Sequence, residues 1–123
     1  MAKVLIIDDS KFSRMKLAFM LAEHGYDVQE AENGSVALET IGKHQPDCVL
    51  CDLMMPEMNG LEFLMVAAKE DHKIPVIIVT ADIQASTAKE ALSLGALAVI
   101  HKPPKGGELA EAVRSALEQG SSR

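Results

Sequence analysis

Short apolar runs of strand length alternate along this chain with longer stretches whose apolar residues recur every three or four positions. Val4-Leu5-Ile6-Ile7, Cys48-Val49-Leu50-Cys51, Val76-Ile77-Ile78-Val79 and Leu97-Ala98-Val99-Ile100 are apolar throughout, as strands covered on both faces must be. Tyr26-Asp27-Val28-Gln29-Glu30-Ala31 alternates instead, which suits a sheet edge. Helical stretches lie between and after these runs. The first, from Lys11 to His24, has Ser10 as N-cap, a stripe of Met15, Ala18, Phe19 and Ala22, and Gly25 to close it. The second is capped by Asn33 and turns Val36, Ala37 and Ile41 inward. The third follows Asn59-Gly60 with a stripe of Leu61, Leu64, Met65 and Ala68. The fourth, from about Gln84 to Leu94, has mainly Ala88, Ala91 and Leu92 to bury, so it should be the least firmly held. The fifth is striped by Leu109, Ala112, Val113, Ala116 and Leu117. Alternation of this kind specifies an α/β fold, a parallel sheet with helices on both faces. Strand order 2-1-3-4-5 puts the alternating second strand at an edge.

The chain has 123 residues, the size of one domain. Residues 1–119 are assigned to it, and residues 120–123 to a flexible tail or the start of a linker. Aromatic residues make up 3% of the chain and there is no Trp, so the core must be aliphatic, with Ala and Met filling gaps. Net charge is -6, and the twelve Lys and Arg are dispersed, which argues against direct nucleic-acid binding. No apolar run has the length of a membrane span, and Met1-Ala2-Lys3 leads straight into a strand, so a soluble cytoplasmic protein without a signal peptide is expected. Cys48 and Cys51 have the spacing of a redox pair, but inside a strand positions three apart face opposite sides, so they read as core thiols.

In an open α/β sheet, ligands bind beyond the carboxyl ends of the strands, where the winding reverses. For this order that point lies between strands 1 and 3. Strand 1 runs into Asp8-Asp9, strand 3 into Asp52, strand 4 into Thr80 and strand 5 into Lys102. Each has an ordinary structural use: a helix cap, a loop-starting acceptor, a strand-end hydroxyl, a solvated charge. Together they put three carboxylates, a hydroxyl and an ammonium on one rim. Clustered carboxylates repel unless a proton or cation intervenes, and hard oxygen ligands suit Mg²⁺. Thr80 and Lys102 supply what a phosphoryl group needs, and Asp52 could serve as the nucleophile that forms an aspartyl-phosphate.

Four segments carry a resemblance to a known family: Val4-Leu5-Ile6-Ile7-Asp8-Asp9-Ser10, Asp52-Leu53-Met54-Met55-Pro56-Glu57-Met58-Asn59-Gly60, Pro75-Val76-Ile77-Ile78-Val79-Thr80-Ala81 and Lys102-Pro103. The chain resembles receiver domains of two-component response regulators, of the CheY-like single-domain type, over essentially its whole length. The resemblance implies a flavodoxin-like fold with five strands and five helices. It implies that Asp52 accepts phosphoryl from a phosphohistidine on a sensor histidine kinase or histidine phosphotransfer protein. Mg²⁺ would be held by Asp9, Asp52 and the backbone carbonyl of Met54, with Asp8 helping through water. Thr80, Ala81 and Lys102 would bind the phosphoryl group, and Met54 and Asp82 would tune its lifetime. A downstream protein or effector domain would read the result. Such a domain is not a stand-alone enzyme, although it promotes its own phosphorylation and dephosphorylation. A cis peptide at Lys102-Pro103 is also implied, aiming the lysine inward.

Two positions depart from the family pattern. Val99 stands where an aromatic residue is usual, and Pro104 where an apolar residue is more usual. Other readings fit less well. A flavin carrier would want a hydroxyl-rich, glycine-rich loop after strand 1, where Asp8-Asp9 would repel a phosphate. A hydrolase of the haloacid dehalogenase type would want an acid where Met54 stands. A receiver that only binds would be expected to lack an acid, the Thr or the Lys, and all are present.

Overall fold

The computed structural model describes residues 2–70, 73–82, 84–105 and 107–121. The elements alternate as β1 (Lys3–Ile7), α1 (Lys11–Ala22), β2 (Asp27–Ala31), α2 (Gly34–His44), β3 (Cys48–Cys51), α3 (Gly60–Lys69), β4 (Val76–Thr80), α4 (Ala85–Ser93), β5 (Ala98–His101) and α5 (Glu108–Ser121). The five strands are parallel in the order β2-β1-β3-β4-β5, as the alternation required. α5 continues through Ser121, past the point where a tail was expected, and residues 122 and 123 lie outside the described residues.

Strand periodicity divides the interior into two cores. Val4, Ile6, Cys48, Leu50, Ile77 and Val79 pack with Leu17 and Leu21 of α1 and Leu109, Val113 and Ala116 of α5. Their neighbours Leu5, Ile7, Val49, Cys51 and Ile78 point the other way, toward Ala37, Ile41, Phe63, Leu64, Ala67 and Ala91 of α2, α3 and α4. The continuous runs are thus explained residue by residue, since each strand feeds both cores in alternation. Cys48 and Cys51 fall in different cores, on opposite faces of the sheet. Asn33 and Ser10 cap α2 and α1 through their side chains, as read from the sequence. Gly95, after α4, takes φ +110, a backbone conformation that residues other than glycine rarely adopt.

Four helical stripes need correction. In α1, Met15 and Phe19 are more than half exposed and Ala22 is exposed, while Leu17 and Leu21 are buried. In α2, Val36 is exposed. In α3 the buried face is Phe63, Leu64 and Ala67, with Met65 and Ala68 turned to solvent. These helices carry apolar residues on several faces, so more than one three-and-four stripe fits the sequence. In α4, Ala91 is buried and Leu92 is half exposed. β5 is an edge strand with only Ile100 fully buried, although its sequence is as apolar as a central strand's.

Candidate functional site

Register brings the strand ends together. β1 and β3 pair with Ile7 opposite Cys51, so the next residues, Asp8 and Asp52, leave the sheet side by side. The Asp52 amide donates to the Ile7 carbonyl at 3.0 Å, and the Lys102 amide to the Thr80 carbonyl at 2.8 Å, extending the ladder past both strand ends. Among the described residues, Asp8, Asp52 and Thr80 are the buried polar ones, at 1%, 8% and 1% exposure. Asp9 is exposed.

The Lys102 Nζ lies 2.7 Å from Asp8 Oδ2 and 2.9 Å from Asp52 Oδ2. The other carboxylate oxygens accept main-chain amides, Asp8 Oδ1 from Ser10 at 2.9 Å and Asp52 Oδ1 from Met54 at 3.2 Å. Burial alone would lower the Lys102 pKa, but its hydrogen bonds and attraction to Asp8 and Asp52 outweigh burial and raise it. The lysine therefore stays cationic throughout the physiological range. The peptide between Lys102 and Pro103 is cis, as the resemblance implied.

Asp8, Asp9 and Asp52 each present an oxygen within 4.8 Å of the others. One ammonium against three carboxylates leaves a surplus of negative charge. Hard oxygen donors and an exposed Asp9 suit a divalent cation that keeps several waters. A cavity of about 440 Å³ lies beside Asp9, lined by Leu53, Met54, Met55, Pro56 and Asn59. The donor set therefore fits Mg²⁺.

A close approach brings the start of α3 up to Asp52. A Cβ on Gly60 would fall 2.6 Å from the Asp52 carbonyl oxygen and 2.9 Å from Leu53 Cα, both backbone atoms, so only glycine lets α3 start so near Asp52. On the far side, Thr80 Oγ1 accepts the Asp82 amide at 3.1 Å, and Asp82 Oδ1 accepts the Gln84 amide at 2.9 Å. These two bonds link the strand-end hydroxyl to the N-cap of α4. Ala81 and Met54 are exposed at the mouth of the site. Val99 lies opposite Ile78 and packs, partly buried, against the α4-side core. Residue 83, in the loop expected to move, lies outside the described residues. The thiols stay protonated, since burial pushes Cys48 up to about 12 and Cys51 higher still, and the Cys51 Sγ donates to the Asp52 carbonyl at 3.3 Å.

Sequence reasoning missed Arg14, in the first turns of α1. Its Nη1 donates to the Asp8 carbonyl at 2.6 Å and its Nε to Glu30 Oε1 at 3.1 Å. Nothing in the local sequence marks it, because a long side chain on a helix can reach several neighbours and only the fold selects among them.

Residues 4–114 match the family model described as response regulator receiver domain. The chain is 36% identical over 116 residues to chemotaxis protein CheY of Bacillus subtilis, covering 94% of this chain and 97% of that one. It is also 36% identical over 121 residues to regulatory protein AtoC of Escherichia coli, covering 98% of this chain but 26% of AtoC. The solved structure of Vibrio cholerae chemotaxis protein CheY4 superposes with a TM-score of 0.87 at 29% identity, covering 95% of this chain and 99% of that one.

Proposed function

Because the chain belongs to the response regulator receiver domain family, we propose that Asp52 accepts a phosphoryl group from the phosphohistidine of a sensor kinase or histidine phosphotransfer protein, and that the modified domain alters its contact with a downstream target. One observation carries this reading. Asp52 stands at the end of a buried strand with its carboxylate held by Lys102 and the Met54 amide, within reach of two further acids.

Asp9, Asp52 and the main-chain carbonyl of Met54 would hold Mg²⁺, with Asp8 helping through water. The chemistry supplied by a cation held there would be neutralisation of the carboxylates and polarisation of the phosphoryl oxygens. A carboxylate oxygen of Asp52 attacks phosphorus, the P–N bond to the donor imidazole breaks, and its electron pair returns to the ring nitrogen. Lys102, now paired with Asp52 Oδ2, transfers its hydrogen bond to a phosphoryl oxygen, so the site gains anionic charge without losing its cation. The Thr80 hydroxyl and the Ala81 amide take further phosphoryl oxygens. Met54, bulky and exposed, and Asp82, short and acidic, flank the path of the hydrolytic water and tune the phosphoryl lifetime.

The output runs through α4. Drawing Thr80 Oγ1 toward a phosphoryl group removes the acceptor of the Asp82 amide, and with it the first of the two bonds leading to Gln84. Val99 is β-branched and stiff at χ1, too short to cross between buried and exposed positions. Signalling therefore uses the loop from Ala81 to Ser86 and α4 without an aromatic rotamer change. The setting proposed is cytoplasmic, with residues 1–119 as the receiver. The site itself is tested by incubation with acetyl phosphate and Mg²⁺. Intact-mass analysis should show one added, acid-labile phosphoryl group in the natural chain and none in Asp52→Asn. Undiminished labelling of that variant removes Asp52 from the role.

A further inference from the structure

We infer that Arg14, braced by Glu30, is a positioning residue that sets the cation affinity of the acidic site by holding the peptide between Asp8 and Asp9. The inference rests on the proposed reading of Asp9 as a metal ligand.

The two acids are anchored unequally. Asp8 is fixed at three points: its amide donates to the Ala31 carbonyl at 3.1 Å, its Oδ1 accepts the Ser10 amide and its Oδ2 accepts Lys102. Asp9 is exposed, and its carboxylate has no hydrogen bond or ion pair among the described residues. Its direction is therefore set by its own backbone. The peptide plane that enters Asp9 is the one whose carbonyl belongs to Asp8, and Arg14 Nη1 holds that carbonyl at 2.6 Å. Rotating this plane swings the Asp9 carboxylate relative to Asp52.

Arg14 is itself held. Its side chain is 14% exposed, and Nε is bonded to Glu30 on β2. A guanidinium is planar, so fixing Nε on one partner leaves Nη1 aimed at the other. Glu30 also offsets the arginine's charge. That matters because an unpaired cation beside the acidic cluster would oppose a metal ion. The pair thus supplies geometry with little net electrostatic cost, the role that outer-layer partners play at metal sites.

Charge and geometry predict opposite signs. If Arg14 acted only through its charge, Arg14→Met would tighten cation binding, because a positive group near the cluster is lost. If it acts through the Asp8 carbonyl, the same change weakens binding although a repulsive charge has gone. The experiment is a calorimetric Mg²⁺ titration of the full chain, Arg14→Met and Arg14→Lys. The Asp9 amide resonance is followed in parallel, and thermal unfolding is measured in EDTA. We expect Arg14→Met to bind about tenfold more weakly with a displaced Asp9 amide signal. Arg14→Lys keeps the charge but reaches one partner only, and should lose less. A loss of stability alone would not change the dissociation constant of the folded fraction. Unchanged or tighter binding by Arg14→Met, while the natural chain binds Mg²⁺, overturns the inference and leaves the proposed function standing. Failure of the natural chain to bind Mg²⁺ overturns both. Should Arg14→Met not fold, Arg14→Lys decides, and an affinity equal to the natural chain's contradicts the positioning role.

Discussion

On one side of Asp52, α3 is fastened at its N-terminus by reciprocal bonds. The Glu62 amide donates to Asn59 Oδ1, and the Asn59 amide to Glu62 Oε1, each at 2.9 Å. The same helix sinks Phe63, Leu64 and Ala67 into the core. On the other side, α4 starts at Gln84 with no side-chain cap bond, buries Ala91 and leaves Leu92 half exposed, against an edge strand that is only partly covered. Both helices follow strand ends that carry site residues. Free energies of local opening follow buried apolar contact and satisfied caps, so α3 should open only with the whole domain and α4 well below that limit. On the proposed function, the chemistry would be mounted on the rigid side and the response drawn from the soft one.

The largest difference between the two helices should appear when one apolar side chain is truncated on each. Phe63→Ala, at a fully buried position, should cost about 3–5 kcal/mol. Leu92→Ala should stay within about 0.5 kcal/mol. Urea unfolding of both variants checks this, and equal losses would mean that α4 is anchored as firmly as α3.

Next in size is Lys102, which ties the soft edge to the rigid centre. Lys102→Met leaves two buried carboxylates without their cation and should destabilise the metal-free domain by about 1–3 kcal/mol. It should also tighten Mg²⁺ binding, because the ammonium competes for the same Asp8 and Asp52 oxygens. The sign with pH follows from the raised Lys102 pKa. The lysine's contribution is fully present below the unfolded value of about 10.4 and is lost as pH rises through the higher folded value. The stability gap between the natural chain and Lys102→Met should therefore be flat from neutral pH to about 10 and narrow above it. Alkaline unfolding curves measure that gap.

Smallest are the caps. Asn59→Ala removes a side-chain acceptor and the capping box, and should cost about 1 kcal/mol. Gln84→Ala removes no cap bond and should change stability by only a few tenths of that. Thermal unfolding distinguishes them, and a Gln84→Ala loss as large as that of Asn59→Ala would contradict the asymmetry.

The strands and the gathering of acids, hydroxyl and lysine at one rim were legible in the sequence for the same reason. A strand covered on both sides has no choice but to be apolar throughout, and the residue that ends such a run must stand at the rim. That logic located Asp8, Asp9, Asp52, Thr80 and Lys102. It also gave the opposed faces of Cys48 and Cys51, since three positions along a strand reverse direction. The helices were less legible because their apolar residues exceed what one face holds. α1 carries Phe12, Met15, Leu17, Ala18, Phe19, Met20, Leu21 and Ala22, and only the position of the sheet selects Leu17 and Leu21 for burial. β5 shows the converse, where an apolar sequence does not reveal how little covers an edge. Arg14 was invisible because its partners, the Asp8 carbonyl and Glu30, are set by the pairing of β1 with β2 and the docking of α1.

Amide hydrogen exchange with and without Mg²⁺ and beryllofluoride, a phosphoryl mimic, tests the division between rigid centre and soft edge most directly. Without the mimic, the amides of Ala85–Ser93 should exchange far faster than those of β1, β3 and α3. On adding it, protection should change from Thr80 through α4, while β1 and β3 hold their protection and the Val99 methyl shifts stay nearly fixed. Uniform protection across α3 and α4, or a response that moves Val99 to a new rotamer while α4 stays still, would contradict that division.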